Sequence, residues 1–305
     1  MSVTRHAAPV RVGSIPPAGL LQLTGSVVLL SSAWPITKQA IGLGVVPIWF
    51  AVGRAGCSAI VAFIVLGLLR RLRIPCRADL PALFAVGLLQ LAAFFYLAHE
   101  AVAWVPAGRT AILCNVTTIW IVPLSILILH EPIPPRRWLA AGLGLAGVVV
   151  LMGPWAMDWT ARDTVVGHIF LLGAAGTFSA AMIVVRRWPP ASSMLQLLPW
   201  CFALATLVLV PVAVLKSDTV GTWPASAMWS MAYIGALAGP LGTWCVMQAA
   251  STLPAMVSSV GFLMTPAAGL LLSAWWLHEG LGADVLGGSA LILLGVACSA
   301  WPARR

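Results

Sequence analysis

The sequence predicts an all-α polytopic membrane protein with ten transmembrane helices. Three observations carry this reading: of 305 residues 61% are hydrophobic, 8% are charged, and the apolar residues come in long runs. A soluble domain carries roughly 25% charged residues, so this chain cannot build a water-facing surface. Runs of about 20 apolar residues match the hydrocarbon thickness of a bilayer, whereas a β-barrel would show short alternating segments. In lipid, a helix satisfies every backbone N–H and C=O within its own segment.

The expected spans are 19–41, 45–69, 80–99, 104–129, 135–153, 165–186, 194–215, 225–248, 252–277 and 282–301. The first follows Arg5 and Arg11 and has Ser31-Ser32-Ala33 at its middle, which imitates a signal peptide and its cleavage site. The apolar run continues past Trp34 and Pro35 and has a counterpart later in the chain, so it is read as a span. The second is apolar except for Arg54. The third and fourth, and likewise the eighth and ninth, form hairpins whose loops nearly vanish. The fifth, rich in small residues, carries Ala140, Gly144 and Gly147, and such residues let helices approach closely.

Arginine and lysine set the expected orientation. With the N-terminus in the cytoplasm, the inner segments hold Arg5, Arg11, Arg70, Arg71, Arg73, Arg77, Arg136, Arg137, Arg186, Arg187, Arg304 and Arg305. The outer ends hold Arg109, Arg162 and Lys216, a balance of 12 to 3. The positive-inside rule then puts both termini in the cytoplasm of a plasma membrane, here a bacterial inner membrane. The net charge of +9 is explained by these loops, and nucleic acid is not an expected partner.

An offset of 148 residues reveals an internal repeat. It matches Gly25 with Gly173, Ser31 with Ser179, Ala33 with Ala181, Gly87 with Gly235, Pro106 with Pro254 and Thr117 with Thr265. It also matches Leu129-His130-Glu131 with Leu277-His278-Glu279 and Gly147 with Gly295, without a gap. The expected organisation is a tail (1–18), a first five-helix repeat (19–153), a second (165–301) and a short tail (302–305). Five helices is an odd number, so the second repeat enters the membrane upside down. Inverted repeats are characteristic of secondary transporters, whose site lies at the repeat interface near the midplane.

The pattern resembles the drug/metabolite transporter superfamily, and within it the EamA-type exporters. The resemblance rests on Ala33-Trp34-Pro35 in the first helix, Arg54 in the second, and Leu129-His130-Glu131-Pro132-Ile133 and Leu277-His278-Glu279-Gly280-Leu281 closing each fourth helix. It implies two inverted five-helix repeats and export of a small metabolite. The family often has a proline 13 residues before that glutamate; Pro266 stands there in the second half, but Thr118 in the first, with Pro123 five residues on. Arg54 has no charged mate, since the offset leads to Phe202.

Ionisable groups within a span are functional candidates by default. Arg54 lies well inside the second span, while Lys38, Glu100 and Arg109 fall near the outer ends, where interfacial snorkelling is the plain alternative. Trp34, Tyr96, Asn115, Thr117, Thr118, Trp244, Gln248 and Thr265 are the polar and aromatic residues expected at cavity depth. The candidate substrate set is therefore Trp34, Lys38, Arg54, Tyr96, Glu100, Asn115, Thr117, Trp244, Gln248 and Thr265. If Arg54 and Glu100 approach, Glu100 neutralises Arg54 until a carboxylate-bearing substrate displaces it.

Glu131 and Glu279 have two readings: a proton-coupling carboxylate, or a corner carboxylate near the N-terminus of the next helix, where the macrodipole favours it. The structural reading is preferred. Gly235 and Gly239 are expected to pack the eighth helix, Gly239-Pro240-Leu241-Gly242 alternatively to break it, and Pro266 to kink the ninth.

No enzyme motif is found. His-Glu occurs at 99, 130 and 278, but Ala103, Pro134 and Gly282 stand where a metalloprotease needs its second histidine. There is no P-loop and no GxSxG. The cysteines at 57, 76, 114, 201, 245 and 298 form no CxxC pair, and no metal or cofactor is expected. The expected function is a secondary transporter exporting a small metabolite, such as an amino acid or related organic compound, by alternating access. The competing readings are a lipid flippase, a non-transporting scaffold and, last, an intramembrane lipid-modifying enzyme. Expected partners are the substrate and the lipid bilayer; a homodimer is compatible with the sequence.

Overall fold

A computed structural model describes residues 16–130 and 132–300. They form ten helical rods: α1 (Pro17–Gly42), α2 (Pro47–Leu68), α3 (Arg77–Trp104), α4 (Ala107–Leu129), α5 (Pro135–Met152), α6 (Arg162–Arg187), α7 (Met194–Lys216), α8 (225–252), α9 (Ala255–Leu277) and α10 (Ala283–Ala300). The expected Glu131 lies outside the described residues, as do Arg5, Arg11, Arg304 and Arg305.

Proline starts several rods for a simple reason. Pro17, Pro47 and Pro135 stand in first turns, where the missing N–H is not needed and φ is already helical. The hairpin between α3 and α4 is tight because Pro106 directly caps α4. Seven rods, α1 to α7, are long and apolar enough to cross a membrane by length and composition. α8 is interrupted by a π-helical segment (Tyr233–Ala238) and by Gly239-Pro240, while α9 and α10 are continuous helices of 23 and 18 residues.

Successive rods run in opposite directions, so their ends gather in two layers. At one, the charged end, Lys38 of α1 donates to the carbonyls of Val102 and Val105 at the foot of α3, at 2.6 and 3.1 Å. Lys216 closing α7 pairs with Glu100 of α3 at 2.6 Å. At the other, the basic end, Asp79 accepts from Ser192 N and Oγ, both at 2.8 Å, and Trp200 Nε1 donates to Arg73 O at 2.9 Å.

The 148-residue offset reappears in three dimensions. α2 packs on α7 and α5 on α10, while α1 lies against α8 and α9 as α6 lies against α3 and α4. Ser31 Oγ donates to Thr265 O at 2.8 Å, and its mate Ser179 donates to Thr117 O at 3.3 Å. His130 and His278 both adopt a left-handed backbone at φ 53°, ending α4 and α9 alike. π-Helical turns occupy Ala85–Ala93 of α3 and Tyr233–Ala238 of α8. A Cβ on Gly147 would lie 2.6 Å from Gly288 O, and one on Gly295 would lie 2.7 Å from Ala140 O. Both close approaches require glycine, and the offset converts one into the other. Residue i meeting j while the mate of i meets the mate of j is the signature of a two-fold interface.

The glycines of α8 pack as expected and the helix also breaks. A Cβ on Gly235 would come within 2.6 Å of Cys57 Cβ, and one on Gly239 within 2.7 Å of Ser58 Oγ. Ser58 Oγ donates to Gly235 O at 2.8 Å, which helps satisfy a carbonyl released by the irregular turn. Pro266 sits inside α9. In the first half α4 is disturbed over Cys114–Thr117, between the helical pieces Ala107–Leu113 and Thr118–Leu124. The irregularity lies on both sides of Pro123, on the stretch that carries Asn115 and Thr117 and again in the π-helical turn Ser125–Leu129.

Candidate functional site

A cavity of about 300 Å³ lies where the two halves meet. Its walls come from α1 (Leu30, Ala33, Trp34), α2 (Arg54), α3 (Gln90, Leu91, Phe94, Phe95) and α4 (Cys114, Asn115, Thr117). The second half adds Phe178 of α6, Phe202 of α7, Gly239, Thr243 and Val246 of α8, and Thr265 of α9. The disturbed stretches of α4 and α8 therefore both border it. Irregular backbone at membrane depth is tolerated where it is buried or lines a cavity.

Arg54 supplies the positive charge of this wall. Its guanidinium lies over the Phe95 ring, 4.3 Å from the centroid, and Nε is buried with no hydrogen-bond partner. Aromatic rings frame the space beside it: Phe94 meets Trp34 edge-on at 6.5 Å and Phe178 at 5.6 Å between centroids. Thr117 and Thr265 share one local arrangement, each with its carbonyl receiving a serine hydroxyl. Asn115 Nδ2 donates to Ala111 O at 2.7 Å.

Of the residues expected from sequence, Trp34, Arg54, Asn115, Thr117 and Thr265 line the cavity. The remaining five lie elsewhere. Lys38 is absorbed by the last carbonyls of α3, where a cation complements a helix C-terminus. Glu100 does not neutralise Arg54, because Lys216 holds its Oε2. The reason is reach: Glu100 sits beyond Phe95, towards the charged end, where the last residue of α7 arrives. Tyr96 faces the same lysine, with Nζ 4.8 Å from its ring. Trp244 borders an apolar groove between α2, α7 and α8, beside Val61, Leu66, Leu198 and Pro240. Gln248 is near the end of α8, its carbonyl taken by Thr252 Oγ1 at 2.7 Å. Thr118 turns away towards Arg137 and Arg186 at the basic end.

Glu279 is a corner carboxylate, but it serves a different helix from the one expected. Oε1 accepts from Ala107 N at 2.6 Å and Oε2 from Gly108 N at 2.8 Å, capping α4 of the other half and not the following α10. α10 has its own first-turn acid, Asp284, and that residue pairs with Arg109, which also donates to Leu151 O at 3.0 Å.

Sequence reasoning missed Gln90, Phe94, Phe95, Phe178, Phe202 and Thr243. Two of them carried a usable signal. The offset takes Arg54 to Phe202 and Phe95 to Thr243, so the partners of the cationic pair were already marked as its opposite wall.

Comparisons with known proteins agree with this architecture. The model of the EamA-like transporter family matches residues 17–153 and again 165–301. The protein PecM of Dickeya dadantii (strain 3937) is 27% identical over 211 residues, covering 67% of this chain and 69% of that protein. An uncharacterized transporter, YdfC of Bacillus subtilis (strain 168), is 25% identical over 222 residues, covering 72% and 71%. A solved crystal structure superposes with a TM-score of 0.65 at 20% identity over 94% of this chain and 96% of the other, a likeness of fold alone.

Proposed function

Because the chain belongs to the EamA-like transporter family, we propose that this membrane transporter moves a small organic molecule by alternating access and that the central cavity is its substrate site. One observation carries the reading. The cavity lies on the interface of two pseudo-symmetric halves and is lined by the disturbed stretches of α4 and α8. Secondary transporters place their sites at such a position.

The full proposal has ten spans in two inverted repeats, 19–153 and 165–301, in a bacterial inner membrane with both termini cytoplasmic. The ten alternating rods and the arginine bias support it. In that frame the charged end faces outward, and its cross-half ties close the cavity on that side. Transport then requires those ties to break as the halves rock. The direction is export, by analogy with the family pattern.

Two experiments test this. Reporter fusions after residues 75, 134, 189 and 305 should read cytoplasmic, and those after 43, 160, 219 and 281 external. One reversed signal in the middle of the chain removes the topology. Metabolites inside and outside cells should differ with and without the protein, and Asn115→Trp, which fills the cavity, should abolish the difference. A difference that survives the plug would place the substrate path elsewhere.

A further inference from the structure

Resting on the transport reading of this cavity, we infer that its substrate is an organic anion with a flat apolar body, its carboxylate held by Arg54, and not a zwitterionic amino acid or a cation.

The charge balance of the walls comes first. Among the described residues that line the cavity, Arg54 is the charged one and none is an aspartate or glutamate. The acids at the charged end are already engaged, Glu100 with Lys216, Glu279 with the amides of α4 and Asp284 with Arg109, and Asp79 at the basic end is held by Ser192. A guanidinium at membrane depth without a counter-ion is unfavourable, and a bound anion relieves that. An incoming ammonium would meet the opposite situation. It would lose its water, face a like charge and find no carboxylate.

The shape of the site agrees. The guanidinium carbon of Arg54 lies over the Phe95 ring, and a guanidinium carries its N–H donors along its edge. That edge matches the fork of a carboxylate. Beyond it, Trp34, Phe94 and Phe178 pack on one another as one aromatic wall. A planar ring can lie against such a wall. Asn115, Thr117 and Thr243 add neutral polar atoms that can orient a substrate without changing the charge balance.

Cys114 lines the cavity and is 3% exposed, which makes it a reporter. The test uses the full chain in proteoliposomes with Cys57, Cys76, Cys201, Cys245 and Cys298 replaced by alanine. N-Ethylmaleimide labelling of Cys114 is timed with indole-3-acetate, tryptophan or tryptamine, which share one ring and differ in charge. Indole-3-acetate should slow labelling at a concentration about tenfold or more below that needed for tryptophan, the scale of a charge-assisted pair. Tryptamine should give no protection. Arg54→Gln should abolish the protection while Cys114 still labels, and Arg54→Lys should retain part of it. Equal protection by tryptophan or tryptamine, or full protection in Arg54→Gln, would overturn the inference and leave the cavity reading standing. If Cys114 never labels, the cavity does not meet water and both readings fall.

Discussion

The charged end and the basic end of the molecule are built on one backbone plan and fastened differently. Both share a tie from the loop joining the first two helices of one half to the segment joining the second and third helices of the other. At the charged end Thr222 N donates to Gly44 O at 3.1 Å, and at the basic end Ser192 N donates to Asp79 Oδ1 at 2.8 Å. Glu279 caps α4 at the charged end, a contact whose mate Glu131 lies outside the described residues, and two ion pairs distinguish that end, Arg109 with Asp284 and Lys216 with Glu100. The repeat mates of Arg109 and Asp284 are Val257 and Arg136, and those of Glu100 and Lys216 are Gln248 and Leu68. Neither pair can form at the basic end. A two-state equilibrium moves only by differential interactions, so side chains alone decide which end of a symmetric backbone is the better closed.

Glu279→Ala should disturb that balance most. It strips two amide donors of their acceptor, worth ~2 kcal/mol, which is about thirtyfold in the open population. A membrane-impermeant thiol reagent added on that side should reach Cys114 correspondingly faster. An unchanged rate would mean that Glu279 is a local cap and no part of the closure.

Arg109 and Asp284 come next. Arg109→Gln and Asp284→Asn should each accelerate the same labelling, and the double variant less than their product, with a coupling of about 1–2 kcal/mol. The comparison sharpens if the pair is transplanted. Val257→Arg with Arg136→Asp should fasten the basic end and slow turnover, and no slowing would show that the mates do not meet there.

Ser31→Ala and Ser179→Ala test the symmetry itself. Ser31→Ala removes the 2.8 Å bond to Thr265 and should cost ~1 kcal/mol. Ser179→Ala should cost less across the interface, because its hydroxyl also reaches Ala175 O at 2.7 Å within its own helix and Thr117 O only at 3.3 Å; a larger loss of melting temperature for Ser179→Ala than for Ser31→Ala would break this reading. The smallest effect belongs to Glu100→Gln. Lys216 is 38% exposed and stays hydrated without its partner, so under ~1 kcal/mol is expected. Lys216→Met should be worse, because it strands Glu100, which is 7% exposed.

Much of this was legible in the sequence. The offset linked Ser31 to Ser179 and Thr117 to Thr265 before their hydrogen bonds were seen, and His130 to His278 before their shared left-handed turn. Arg54 stood out because a charge at that depth must face something polar or hydrated. The phenylalanines did not stand out, since lipid and cavity accept the same ring and no periodicity separates them. The partners of Glu100 and Glu279 were hidden for another reason. Both contacts cross between helices remote in sequence, and Lys216 lay among residues assigned to a loop. Trp244 and Gln248 lie away from the central cavity because depth along a helix does not fix which face a side chain presents.

The position opposite Arg54 has a consequence for how such a chain arises. The Ser31–Thr265 and Ser179–Thr117 bonds are the contacts that a single five-helix unit would make with an upside-down copy of itself. A pair of identical copies must repeat whatever stands there, two arginines or two phenylalanines facing one small chamber. One polypeptide is free of that rule and holds Arg54 in one half and Phe202 in the other. A lone charge at the centre of a symmetric shell is available to the fused chain and closed to the pair of identical halves.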